Sequence, residues 1–210
     1  MKLLLTAFDA FGGDKLNASQ LALDQLPDEI EGVRLQKLFI PTEFQKAPAL
    51  IRQTIQELLP DAVVSLGQAT GRRTLTVERI GVNLIDARIP DNSGNQPKDQ
   101  CIVPQGPDAL FSNLPTRQMV EAMQHVGIPA ELSYTAGTYV CNSVLYSTRY
   151  FCLTHYPNIL SGFIHLPATP EQTASHEGNT EIPSMSTAKV VLGLVEALKA
   201  VILYQDSPLQ

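Results

Sequence analysis

The chain has 210 residues, 44% of them apolar and 17% charged, a globular composition with length enough to bury a core without disulfides. Its 15 basic and 21 acidic side chains give a net charge of −6, which argues against a nucleic-acid partner, because a phosphate-binding surface needs clustered Lys and Arg. The only adjacent basic pair, Arg72-Arg73, makes no patch, and apolar runs such as Ala200 to Leu203 are far too short to span a bilayer.

Lys2 to Phe8 is a nearly continuous apolar run, the pattern of a strand covered on both faces. Met1 to Leu5 could open a signal peptide, but Asp9 interrupts it and no small-residue cleavage site follows. Asn17 can cap a helix carrying Leu21, Ala22 and Leu26. Arg34 to Ile40 alternates as a strand and stops at Pro41. A helix follows with Ile51, Ile55, Leu58 and Leu59 on one face and Pro48 in its first turn. Pro60-Asp61 ends it, and Ala62 to Leu66 is a third strand.

The middle differs. Arg73 to Glu78 alternates, Gly81 to Ile85 is expected to pair with it as a hairpin, and Pro90 to Pro107 reads as loop. Pro115 to Val126 is helical, through Met119, Val120 and Met123, with Gly127 as C-cap. Ala130 to Tyr134 is a strand, Asn142 to Tyr156 a helix, and Leu160 to Leu166 a strand. Ala168 to Pro183 is a long polar loop of the kind that forms lids. Thr187 to about Tyr204 is the last helix, with Val191, Leu194, Val195, Leu198, Val201 and Ile202 on one stripe. Alternating strands and helices predict an α/β fold: one domain over residues 1–210, a three-layer α/β/α sandwich around a mostly parallel, twisted sheet.

Ligands of open α/β sheets bind at the carboxyl ends of the strands. Four segments carry reactive or unusual residues towards that edge: Phe8 to Gly13, Gly67 to Arg72, His165-Leu166-Pro167, and the run from Tyr134 through Gly137 to Cys141. Cys141 stands at the mouth of a helix, where the positive end of the dipole is expected to lower its pKa towards the thiolate. An arbitrary cysteine is usually a small buried hydrophobe; the glycine-bearing turn and a histidine ending a strand set Cys141 apart. Cys152 lies on the same helix about 16 Å further along, too far for a disulfide, and reads as core. Cys101 sits in a loop. Three cysteines, with no Cys-x-x-Cys, offer neither a zinc nor a thioredoxin-like site, and free thiols suit a reducing cytoplasm.

His165 is the natural general base for Cys141. His125 and His155 fall at helix ends, where the dipole accounts for them, and His176 lies in the polar loop. A Cys–His pair needs a third group to fix the imidazole tautomer. Glu78, Asp86 and Asp91 are all candidates, and spacing does not choose among them.

These segments closely resemble the pyroglutamyl peptidase I family. The resemblance is carried by Phe8-Asp9-Ala10-Phe11-Gly12-Gly13 with Asn17 and Ser19, Gly67-Gln68-Ala69-Thr70-Gly71-Arg72, Glu78-Arg79 with Asn83, and Asp86 to Asn92. Thr135 to Asn142, Phe163 to Pro167 and Pro183 to Ser186 complete it, in order along essentially the whole chain. It implies a cysteine exopeptidase with a Cys141–His165–Glu78 triad that cleaves an N-terminal pyroglutamyl residue from peptides through a thioester, with neither metal nor cofactor. The family's substrate pocket falls on Phe8, Phe11, Asn17, Gln68 and Ile89, and its oxyanion donors on the backbone of Arg88 and Cys141. The family commonly forms homotetramers. The chain departs from the family pattern at Val77 and Ala18, where proline is common, at Thr70, where glycine is usual, and at the variable Ser143. Two rivals stand beside it: a nucleoside phosphorylase-like enzyme, whose general layout this element order could also fit, with a phosphate site on Arg72 or Arg88, and a binding protein that has lost catalysis, against which an intact Cys–His–Glu set speaks.

Overall fold

The computed structural model describes residues 1–13, 15–174 and 182–206. The elements run β1 (Leu3–Phe8), α1 (Ala18–Gln25), β2 (Glu29–Ile30), β3 (Val33–Ile40), α2 (Lys46–Leu58), β4 (Ala62–Gln68), β5 (Leu75–Glu78) and β6 (Ile80–Val82). There follow β7 (Ala109–Phe111), α3 (Thr116–His125), β8 (Ala130–Ser133), α4 (Val140–His155), β9 (Leu160–Leu166), α5 (Pro170–Ala174) and α6 (Thr187–Asp206). Seven strands form one mixed, mostly parallel sheet in the order β2-β3-β1-β4-β9-β5-β8, and β6 pairs with β7 separately.

The sheet separates two apolar layers, and β1 shows why its sequence is unbroken. Leu3, Leu5 and Ala7 enter the core shared with α1, α3 and α6, whereas Leu4 and Phe8 enter the one shared with α2 and α4. Both faces are dry and an unmet hydrogen bond there is costly, so the strand is apolar but for Thr6, whose hydroxyl is buried without a partner among the described residues. Among the described residues no helix is long and apolar enough to cross a membrane.

The expected hairpin is absent. Both edges of β5 are occupied, by β9 in antiparallel and by β8 in parallel register, so β6 cannot add to it. Instead β6 crosses α4 closely and pairs with β7. Gly81 permits that crossing, since a β-carbon there would come within 3.0 Å of Leu145 and 3.2 Å of the Tyr146 amide.

Other boundaries moved by a few residues. Leu59 does not join the apolar face of α2: it is 54% exposed and caps the helix with a left-handed φ of 48°. Val126 lies just past α3 and is exposed, while Gly127 takes the expected positive φ of 75°. α4 begins at Val140, which puts Cys141 inside its first turn. The polar loop from Ala168 contains α5; residues 175–181 of the expected lid, with His176, lie outside the described residues.

Candidate active site

The site is built on the strand row where Gly67 of β4, His165 of β9 and Thr76 of β5 stand side by side. β5 and β8 run opposite to β9, so β8 itself ends away from the edge where β1, β4 and β9 end, but the segment after it returns to line one cavity with Phe11, Gln68, Thr70 and His165. That segment leaves the far end of β8, and α4 then lays Cys141 over the face of the sheet above Gly67. A β-carbon on Gly67 would come within 3.0 Å of the Cys141 Sγ. Cys141 and His165 line one cavity of about 500 Å³.

His165 is buried, and its Nδ1 lies 2.7 Å from Glu78 Oε1. The two residues are 87 apart in sequence, but Glu78 is two positions beyond Thr76 on the neighbouring strand and so shares the face on which His165 projects. An ionised carboxylate only accepts, so Nδ1 carries the proton and Nε2 is left unprotonated. The Phe163 ring, 4.7 Å from the imidazole, closes one side. Burial pushes the His165 pKa below its ordinary value, with Arg72 adding to it and Glu78 pulling the other way. Burial works against the Glu78 charge too, but His165, Ser133 and Arg72 together hold that carboxyl below its usual range.

The thiol does not behave as its helical position predicts. Burial, reinforced by the nearby Glu78 charge and opposed by Arg72, pushes Cys141 up to about 12. The magnitudes explain the outcome: a first-turn dipole is worth about 0.3–1 kcal/mol, less than one pKa unit, whereas desolvation of a buried anion is worth several. Both shifts favour a neutral thiol beside a neutral imidazole over the ion pair.

Of the three carboxylates that spacing could not separate, only Glu78 meets the imidazole. Asp86 is exposed and faces Lys98 at 3.4 Å. Asp91 organises the following loop, accepting from the amides of Phe44, Ser93 and Asn95 at 2.8–3.0 Å.

The cavity continues into a narrow slot lined by Phe8, Phe11, Asn17, Thr42, Gln68, Tyr139 and Cys141. Thr42 and Tyr139 were not singled out from the sequence, although Tyr139 stands two residues before Cys141. Tyr139 is held between Phe11 and Phe44, at ring separations of 6.2 and 5.2 Å, and donates to Pro90 O at 2.9 Å. Ile89, 44% exposed, and Arg88 line the larger cavity rather than the slot. Asn17 spends its side chain on structure: Oδ1 accepts from the amide and hydroxyl of Ser19, and Nδ2 donates to Asp9 O.

Gln68 is fixed more tightly still. Its Oε1 accepts from the Ala18 amide and from Gln172 Nε2, both at 2.8 Å, and its Nε2 donates to Thr70 Oγ1 at 3.0 Å. A main-chain N–H can only donate, so the Ala18 contact decides which end of the Gln68 amide is oxygen. One N–H of Gln68 is left for a ligand. Two of the departures from the family pattern, Ala18 and Thr70, thus bear on this one side chain.

Elsewhere, Cys152 is fully buried among apolar neighbours and Cys101 is exposed. His125 and His155 occupy the last turns of α3 and α4.

Comparison with known proteins points one way. The sequence profile described as Pyroglutamyl peptidase matches residues 1–204. The pyrrolidone-carboxylate peptidase of Levilactobacillus brevis is 46% identical over 203 residues, 97% of this chain and 98% of the relative. Among solved structures, pyroglutamyl peptidase I of Bacillus amyloliquefaciens superposes with a TM-score of 0.92 at 39% identity, over 99% of both chains. The pyrrolidone carboxyl peptidase of Pyrococcus furiosus superposes at 0.93 and 37% identity, over 98% of this chain and 100% of that one.

Proposed function

The chain belongs to the pyroglutamyl peptidase family, and on that premise we propose that it hydrolyses the N-terminal pyroglutamyl residue of peptides, with Cys141 as nucleophile, His165 as base and Glu78 as the group that orients it. The observation that carries this reading is the shared cavity of Cys141 and His165, with Nδ1 of the latter held by Glu78 at 2.7 Å.

The chemistry follows from the resting protonation states. His165 takes the Cys141 proton as sulfur attacks the pyroglutamyl carbonyl, so the thiolate forms only when there is a carbonyl to accept it. Glu78 stabilises the imidazolium. The tetrahedral oxyanion is met by main-chain N–H groups at Cys141 and Arg88; in the first turn of α4, the Cys141 amide has no helical carbonyl to serve. His165 then protonates the leaving amine, and water cleaves the thioester.

The slot has a lining suited to the acyl group but, at about 10 Å³, room for about one water, so its aromatic rings must part as the substrate enters. Pyroglutamate is an uncharged lactam, so Phe8, Phe11 and Tyr139 can enclose its ring while Gln68 reads a polar edge. A free α-ammonium placed there unpaired would lose several kcal/mol of hydration, so open-chain residues are rejected as much as pyroglutamate is preferred. Ile89 and Arg88 border the wider cavity into which the rest of the peptide extends. Residence in a reducing cytoplasm, as free thiols suit, and assembly as a homotetramer belong to the same reading.

The phosphorylase alternative loses support from Arg72, whose two terminal nitrogens are committed to Glu78, Thr76 and Thr135. The test is release of a fluorescent amine from its pyroglutamyl amide by the wild-type chain and by Cys141→Ser. Near-complete loss in the variant is expected; retained hydrolysis would end this account.

A further inference from the structure

We propose that Arg72 is a positioning residue for the reaction, a single guanidinium that ties Glu78 to the segment carrying the nucleophile. The proposal rests on the Cys–His–Glu reading above. Arg72 follows β4 in a short turn closed by its own amide on Ala69 O at 3.1 Å, and its side chain returns over β5. Nη1 donates to Glu78 Oε1 at 2.7 Å and also to the Thr76 hydroxyl, while Nη2 donates to Thr135 O at 2.9 Å. Glu78 Oε1 is the oxygen that also accepts from His165 Nδ1. Thr135 opens the segment between β8 and α4 that delivers Cys141. The guanidinium therefore fixes the carboxylate under the imidazole and anchors the approach of the thiol at once.

Charge gives the second part of the argument. Glu78 is fully buried, and a neutral imidazole does not balance a buried carboxylate. Arg72 does, because a guanidinium keeps its proton, and its Nη1 meets Glu78 Oε1 at 2.7 Å. Once the thiol proton has moved, Arg72, Glu78, His165 and Cys141 form a row of alternating charge. Arg72 is itself 26% exposed, on the side of an open groove with Arg73 and Glu131, so it touches water on one flank and the catalytic carboxylate on the other. Arg72 also lines the cavity of Cys141 and His165, but its Nη1 is held by Glu78 and Thr76 and its Nη2 by Thr135, so it acts through Glu78.

The groups facing His165 are Glu78 from β5, Arg72 from the turn after β4 and Cys141 from α4, with Asp86 and Arg88 further out in the same cavity. The positive charge of Arg72 favours the deprotonated forms of Glu78 and His165. Its removal moves both titrations, and with them the acid limb of the rate profile, to higher pH.

The experiment measures kcat and KM on a pyroglutamyl amide across pH for Arg72→Met, Arg72→Lys, Glu78→Gln, the Arg72→Met/Glu78→Gln pair and Cys141→Ser, with folding checked by circular dichroism. Arg72→Met is expected to lower kcat about 10- to 100-fold with KM within about threefold, and to shift the acid limb upward, with partial recovery in Arg72→Lys. Added to Glu78→Gln it should cost little more, since the group it positions is already disabled. That pair also removes the buried carboxylate together with its partner charge, so it tests the proposal even if Arg72→Met alone does not fold. Arg72→Met with near-wild-type kcat and an unshifted acid limb overturns the proposal, as does a loss confined to KM or an undiminished further loss in Glu78→Gln. If Cys141→Ser also retains activity, the peptidase chemistry itself falls; if that variant is dead, only the role of Arg72 does.

Discussion

Gly67 lies directly beneath Cys141, so close that a β-carbon at position 67 would stand 3.0 Å from the Sγ and 2.7 Å from the Phe163 ring. The backbone of Gly67 is unremarkable, since it does not adopt positive φ. What requires glycine is the Phe163 ring first and the Cys141 thiol second, both packed over this row beside His165.

Gly67→Ala tests that directly. The added methyl must displace either a core ring or the nucleophile, and overpacking of this kind costs about 1–3 kcal/mol. A shift of the sulfur by about 1 Å costs about 100-fold in rate. We expect a folded protein with a modestly lower Tm and kcat reduced by that order. Unchanged kcat with a lowered Tm would show that the Phe163 ring, not the thiol, gives way to the methyl.

Rate should depend on pH in a direction set by burial. His165 must be neutral to act as base, and its pKa lies below 6.5. Activity therefore stays level as pH falls through 6.5 and declines only below it. Stability follows the same sign: the unfolded chain takes up this proton first, so stability begins to fall as pH drops below 6.5. A second decline begins below about 4.5, where unfolding lets Glu78 protonate. A kcat/KM profile and denaturant titrations between pH 4 and 8 check both; an acid limb centred above 6.5 contradicts this assignment.

Asn142, the residue after the nucleophile, holds α4 in place. Fully buried, it accepts from the Val82 amide at 3.0 Å and donates to the carbonyls of Val82 and Leu84 at 2.9 and 3.0 Å. Asn142→Ala leaves those three main-chain groups unpaired, at about 1–3 kcal/mol for each buried group that water cannot reach. A loss of about 3 kcal/mol or more in chemical denaturation is expected, and a loss below 1 kcal/mol would mean that the three bonds contribute little.

Ala18→Pro isolates the orientation of Gln68. Proline is well suited to the first position of a helix, which Ala18 occupies in α1, so the fold should survive. The missing N–H removes one donor from Gln68 Oε1. A net hydrogen bond of about 0.5–1.5 kcal/mol corresponds to an increase of about two- to tenfold in KM for a pyroglutamyl amide, with kcat little changed. An unaltered KM would remove Ala18 from the account of specificity.

Local signals were legible wherever the chemistry is local. The unbroken apolar run of β1, the Asn17 cap, the Gly127 cap and the stripe of α6 are set by near neighbours in the chain, through periodicity and backbone conformation. So was the meeting of a glycine-bearing turn and Cys141 at a helix start, a few residues apart. Tertiary structure decided whatever depends on strands that are distant in sequence. β5 found β9 and β8 instead of β6, because hydrogen-bonding edges are filled by whichever strand the packing brings. That pairing put Glu78 rather than Asp86 or Asp91 beside His165, and brought Arg72 over both. The protonation of Cys141 also lay beyond any pattern: helix position argued for a thiolate, but desolvation depends on everything packed around the sulfur, and it outweighed the dipole.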